Sequence, residues 1–522
     1  LRNDTASVQK TAVLQISSSL DWRSIRAGSK SLQYLTQALT SDIDHTGSLS
    51  EAIITLPQAV EPHGTIELEI GYEGVIVLDA TRLARIDTPD DAAASTDWDQ
   101  IDARFTGLRG AGHVAWYPIT TEVANFSEGN SLFDVLERWK NREAGATTHL
   151  KITLVFAGDP EPRILLGGLM CTPTMIERMG MAARLAAECN PQILRLDPPT
   201  LVIAPYGVME KPAVQVYFLP HHDAAASSFA ETAEQIAPLI ADWFGPPREK
   251  AKVADLPDPA ASPFESGAFL LAPLTKSNSS SDGLAAAHQL THASFLSFRP
   301  WIEEGLAHFA QVLYVEKEKG RQSALDYMGS HRAAFSEAEK PSTVPGSDDE
   351  TNRSLVNTTN DELYRSKAMY VWWMLRDMVG DAGLKKAIAA YRPEQDKEPS
   401  YMQRLISAQT QRDLEWFFDD WVYRDRGLPD FKVESAFARK TLDNSFMLTV
   451  TVDNLGTAGA EVPVIVKFAG GEVAKRLEIH AKDKATVRIE TPTAPQEIRV
   501  NDGSVPERDL TNNTFKVEMP AS

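Results

Sequence analysis

His288 and His292 lie four residues apart in the stretch Leu284 to Leu296, which carries no formally charged residue. Helix formers open that stretch, so it reads as a helix buried on most sides, with both imidazoles on one face. A buried imidazole needs partners for its ring nitrogens, and two imidazoles one turn apart can point at a single metal ion. The plainer alternative is a pair of core histidines bonded to backbone or side chains. The next segment raises the metal reading. A helix begins just after Pro300, and its positions Ile302, Leu306, Phe309 and Leu313 form one apolar stripe. Glu304, His308 and Gln311 fall on the other side. Zinc commonly takes a third ligand from a carboxylate and, in catalytic sites, leaves a fourth position to water. The expected ligand set is therefore His288, His292 and Glu304 around Zn2+. Glu304 is placed ahead of Glu303, which is expected to point toward Ala307 and Ala310.

Other single features support plainer roles. His221-His222 follows a strand and reads as a polar turn, Trp372-Trp373 as core packing, and Asp348-Asp349-Glu350 as solvated surface.

The elements that must position these residues fall into three stretches. Residues 1–200 carry period-two segments at Val13 to Ser17, Thr65 to Tyr72, His149 to Phe156 and Ile193 to Leu196, which define an N-terminal β domain. Residues 201–431 mix strands such as Ala213 to Leu219 with helix-length segments at Phe229 to Phe244 and Leu363 to Val379, an α+β domain. Residues 432–522 return to short strands: Phe446 to Val452, Val462 to Phe468, Val473 to Ile479, Ala485 to Glu490 and Glu497 to Val500. Turn residues separate them, as in a small immunoglobulin-like β-sandwich. Two stretches read as loops, Lys276 to Gly283 and Glu337 to Asn360, the second as a flap. Met175 to Glu188 reads as an amphipathic helix. Such a helix would hold Cys171 and Cys189 roughly 20 Å apart, so two separate thiols are expected.

A chain of 522 residues with 43% hydrophobic and 24% charged residues has the composition of a soluble multidomain protein. The balance of 52 Lys+Arg against 72 Asp+Glu gives a formal charge of -20, which disfavours nucleic acid as a partner. No uncharged apolar run approaches the ~18 residues of a spanning helix, so no membrane span is expected. Leu1 in place of a methionine fits export to a periplasmic or extracellular space, an expectation on which the two cysteines are silent.

His288-Gln-Leu-Thr-His292 followed by Trp301-Ile-Glu-Glu304-Gly-Leu-Ala resembles the H-E-x-x-H and W-x-x-E-G signatures of gluzincin peptidases, particularly the aminopeptidase N family. Phe244-Gly245-Pro246, Ser266-Gly267-Ala268, Lys367-Ala368 and Asp413-Leu414-Glu415-Trp416 follow the family's order around that motif. The resemblance implies a central thermolysin-like zinc domain, Zn2+ as cofactor and a peptide or protein as substrate or partner. It also places Gly267 and Ala268 at the substrate's amino end, although the acid of the family's G-x-M-E-N motif is missing from Gly267-Ala268-Phe269-Leu270-Leu271. Tyr364 is the nearest counterpart of the family's catalytic Tyr, one residue out of register, with Arg365 in the aligned place. The interval from His292 to Glu304 is shorter than the family's.

Gln289 stands where the family has its general-base Glu, and an amide cannot take a proton from zinc-bound water. Losing a positioned base costs about 10² to 10⁴ in rate, while an isosteric amide leaves the metal geometry intact. The leading expectation is a zinc-binding metallopeptidase homologue that cleaves poorly or not at all and binds peptides or a protein partner. The alternatives are an active peptidase in which Gln289 is engineered or compensated by Glu303 or His308, and a metal-free scaffold or assembly subunit.

Overall fold

The computed structural model describes all residues except 129–130, 158–160, 181, 195–197, 275–278, 339–353, 359, 361, 425 and 519–522. The chain divides into two compact units, Leu1–Glu234 with Glu249–Asp282, and Gln235–Arg248 with Gly283–Ser522.

The first unit is built on antiparallel sheets. Ser48–Val60 pairs with Gln9–Ser17 on one side and Tyr34–Thr40 on the other. Its alternating residues Ala52 and Ile54 join Leu14, Ile16, Trp22 and Ile25 in one core. The expected strand at Thr65 to Tyr72 forms at Glu69–Gly74, and that at His149 to Phe156 forms at Lys151–Ala157. Of the strand expected at Ile193 to Leu196, Ile193 lies in the short strand Gln192–Ile193, Leu194 is outside it, and Arg195 and Leu196 are not among the described residues. A helix at Ser131–Glu143, absent from the period-two reading, buries Leu132, Val135 and Trp139. A second sheet runs Gly207–Glu210, Val214–Phe218, Ala251–Asp255, Phe269–Ala272 and Phe264–Ser266. Two of its pairings are parallel, and the chain passes between Val214–Phe218 and Ala251–Asp255 through the helix Asp223–Phe244, as a parallel crossover requires.

The expected helix from Met175 to Glu188 does not form. Thr172–Met179 and Ala182–Glu188 make an antiparallel hairpin, with Thr172 opposite Glu188, so Cys171 and Cys189 face one another at its open end. They are joined in a disulfide, with their Cα atoms 4.3 Å apart. The reason is a conflict of signals. Ala, Met, Glu and Arg favour a helix locally, but Ala183, Leu185 and Ala187 are buried in alternation with less buried neighbours, and Leu185 and Ala187 join the same core as the two cysteines. Burial of that alternate face overrides propensity.

The second unit packs helices around large aromatics. Trp301, Trp372, Trp373, Phe309, Phe417, Phe418 and Trp421 are fully buried, which bears out the packing role expected of Trp372-Trp373. The segment expected as a helix from Leu363 to Val379 begins with a π-helical turn at Leu363–Lys367. It continues as Ala368–Ala390, broken where Gly380 takes a positive φ of 77°. Each strand expected after residue 432 is present, at Phe446–Asn454, Ala460–Phe468, Gly471–Ile479, Lys484–Thr491 and Pro495–Val500. Phe431–Lys440 and Thr514–Lys516 complete a three-stranded and a four-stranded sheet.

The loop expected at Lys276 to Gly283 ends inside a helix, because the helix carrying the histidines already starts at Ser279. Most of the segment read as a flap, and all of Asp348-Asp349-Glu350, lies outside the described residues. No helix among the described residues is long and apolar enough to cross a membrane.

Candidate metal centre

Two helices of the second unit present the candidate ligands. The histidine helix, Ser279–Ser294, buries Ala286, Ala287, Leu290 and Ala293, which leaves it no solvated face near its histidines. The glutamate helix, Pro300–Lys319, starts with Pro at its first position and buries Ile302, Leu306, Phe309 and Leu313, the expected stripe. Two contacts hold the pair together. Gln311 donates from Nε2 to the Leu284 carbonyl at 3.2 Å, and Gly283 lies where a Cβ would come within 2.2 Å of the Tyr314 hydroxyl. Gly305 does the same work on the other side, since a Cβ there would fall 2.7 Å from that of Ala368. The backbone next to Glu304 thereby sits directly against the helix Ala368–Ala390. Trp301 stacks on Trp372, whose indole N–H donates to the Trp301 carbonyl at 3.2 Å, and this fixes the start of the glutamate helix.

All three expected ligands converge. The Nε2 atoms of His288 and His292 are 3.1 Å apart. Glu304 brings Oε2 to 3.7 Å from the first and Oε1 to 3.8 Å from the second. Ligand atoms about 2.0 to 2.1 Å from a tetrahedral zinc ion stand about 3.3 to 3.4 Å from each other. The observed spacing brackets that edge length, so the residues fit a zinc ion.

Glu303 departs from its expected direction toward Ala307 and Ala310. Its Oε1 is 3.1 Å from His292 Nδ1, and its Oε2 accepts the Ser297 backbone N–H at 2.5 Å. The helix begins immediately after a turn whose amide and the neighbouring imidazole both offer hydrogen, and these draw the carboxylate inward. A Glu303 carboxylate there favours the His292 tautomer with its proton on Nδ1, the form that can ligate a cation through Nε2. Burial pushes the Glu303 carboxyl above its usual range, and the hydrogen bond to His292 opposes this. The residue's position supplied the only cue: a second acid beside the candidate ligand, in the first turn of the glutamate helix.

Gln289 follows His288 on the buried helix and is 2% exposed. Tyr364 belongs to the π-helical turn Leu363–Lys367, and from that turn Arg365 places Nε 3.5 Å from Glu304 Oε2. Gly267 and Ala268 belong to the first unit, where they form the turn between Phe264–Ser266 and Phe269–Ala272. Gly267 takes the positive φ of 55° that a two-residue hairpin turn needs. His221 also has a positive φ, and His222 Nδ1 lies 2.5 Å from Asp255 Oδ2, a polar turn as read from the sequence.

Comparison with known proteins places the fold. No family model and no curated protein matches the sequence. Among solved structures, the chain shares its fold with M1 zinc metallopeptidases. One is a two-domain member, a point mutant bound to the amino acid L-tryptophan, aligned at 17% identity over 81% of this chain and 88% of that one with a TM-score of 0.50. Another is a mutant M1 zinc metallopeptidase from Deinococcus radiodurans bound to the substrate Tyr-Ser-Ala, with the same identity, coverage and TM-score.

Proposed function

We propose that this chain is a divergent zinc metallopeptidase homologue of the aminopeptidase N kind, that it binds one zinc ion through His288, His292 and Glu304, and that Gln289 leaves it hydrolytically impaired. The observation that carries the reading is the convergence of two imidazole Nε2 atoms, 3.1 Å apart, with the Glu304 carboxylate, which sets one oxygen within 3.7 Å of the first and the other within 3.8 Å of the second, close to the spacing of ligands around zinc. When bound there, zinc supplies Lewis acidity toward a peptide carbonyl. Glu303 orients His292, and Arg365 balances the charge of Glu304. Glu303 is an unsuitable replacement for the missing base, because its two oxygens are engaged by His292 and Ser297. The occupant of the site is a peptide or a peptide segment of a protein, the ligand class of the tripeptide-bound structure that shares the fold. A disulfide between Cys171 and Cys189 supports an exported protein, since such bonds persist in oxidising compartments.

The test is turnover of a mixed peptide library by zinc-loaded wild type and by Gln289→Glu. The variant is expected to gain activity within about 10² to 10⁴ over the wild type. A wild type that turns over as fast as the variant overturns the impairment. A zinc-loaded variant that cleaves nothing shows that the base is not what hydrolysis lacks.

A further inference from the structure

One histidine beside the site has no part in the reading above. Glu304 and His308 are four apart on the glutamate helix and therefore share a face, the one that meets His288. Ligand atoms of His288, Glu304 and His308 all lie within 4.8 Å of one another. The His308 ring stands edge-on to that of His288, with centroids 5.0 Å apart and planes 83° apart. His308 is half-buried and backed by His331, 6.1 Å away between ring centroids. His331 in turn is held by Ser366, whose hydroxyl is 3.4 Å from Nδ1, and by the ring of Tyr327. Tyr327 is itself fixed through its hydroxyl, which donates to Gln311 Oε1 at 3.0 Å.

We infer that His308 is a fourth protein ligand, filling the coordination position that a catalytic zinc site leaves to water. This rests on the proposal that the site binds zinc. The two imidazole Nε2 atoms stand 3.1 Å apart, each has one Glu304 oxygen at 3.7 or 3.8 Å, and a ligand atom of His308 lies within 4.8 Å of those of His288 and Glu304. A site with four protein ligands is of the closed, structural kind. It would hold zinc without offering it a water to activate, in keeping with a glutamine at the base position.

The experiment compares wild type, His308→Ala and His308→Gln, with His331→Ala as a control and circular dichroism to confirm folding. Zinc affinity is measured by competition with a chelator. Each apoprotein is also loaded with Co2+, and its visible spectrum is recorded while azide is added. In wild type the cobalt spectrum should be that of a tetrahedral site and should not respond to azide. Both His308 variants should bind zinc at least 10- to 100-fold more weakly, and their cobalt spectra should shift with azide as an open position is filled. His331→Ala, which removes only the ring behind His308, should weaken zinc binding less than either His308 variant and leave the cobalt spectrum unresponsive to azide. A wild type whose cobalt spectrum responds to azide, with zinc affinity unchanged in both His308 variants, overturns the fourth-ligand inference and leaves the three-ligand site standing. A wild type that binds neither metal overturns both.

Discussion

Arg82, Arg109, Asp97 and Asp99 in the first unit are as deeply buried as His288 and His292 in the second, yet the two groups differ in what their atoms offer one another. In the first, donors meet acceptors throughout. Arg82 grips Asp97 with two bonds of 2.6 and 2.7 Å and gives a third nitrogen to the carbonyls of Asp42 and Gly112. Arg109 grips Asp99 from Nε and Nη2, reaches the Thr96 carbonyl, and lies 4.1 Å over the ring of Trp98. Burial, followed by the Arg109 and Arg82 cations, holds the neighbouring His113 well below the usual histidine range and keeps it neutral. In the second group, two imidazole nitrogens face each other and a carboxylate. With Nδ1 of His292 beside Glu303, that arrangement gathers the ligand-type atoms of three residues at one place. A cluster of alternating charges is architecture. One that gathers imidazole nitrogens and a carboxylate suits a cation.

The largest effect should come from breaking the self-satisfied cluster. Asp97→Ala leaves the buried Arg82 guanidinium without its carboxylate and should cost about 3 to 5 kcal/mol of stability, read by denaturant unfolding. The zinc content of the folded fraction should be unchanged. A loss under about 1 kcal/mol would show that the arginine finds other partners and that the network is not structural.

A smaller effect sharpens the other half of the comparison. Glu303→Gln keeps the shape of the side chain but weakens its hold on the Nδ1 proton of His292, and it should reduce zinc affinity by about 10- to 100-fold. Stability of the metal-free protein should hardly change. Equal affinity in variant and wild type would remove Glu303 from any role in setting the tautomer of His292.

The convergent site was legible in the sequence, whereas the paired one was not. His288 and His292 stand one turn apart in a stretch without charged residues, Leu284 to Leu296, and Glu304 faces away from a clear apolar stripe, so local spacing sufficed to group them. Arg82 lies in the four-residue helix Thr81–Ala84 and Asp97, Asp99 and Arg109 in irregular chain beside short elements, and no periodicity marks which arginine meets which aspartate. The hairpin closed by Cys171 and Cys189 failed for a related reason. Its residues favour a helix one by one, and only contacts with distant core residues such as Ile16 and Leu201 show which face is buried. Among the strands after residue 432, Phe446–Asn454, Lys484–Thr491 and Pro495–Val500 alternate buried with less buried residues, and clear turns mark off all five. Glu303 was misdirected because its partners, His292 and the Ser297 amide, come from across a turn that helical spacing does not describe.

The central claim is that these converging ligand atoms hold zinc, and metal content tests it most directly. Wild type and His292→Ala would each be stripped with chelator, reloaded with zinc, desalted and assayed by atomic absorption. The account predicts one zinc per wild-type chain and essentially none in the variant, with both proteins folded. A wild type that retains no zinc, or a His292→Ala protein that retains as much as wild type, would contradict it.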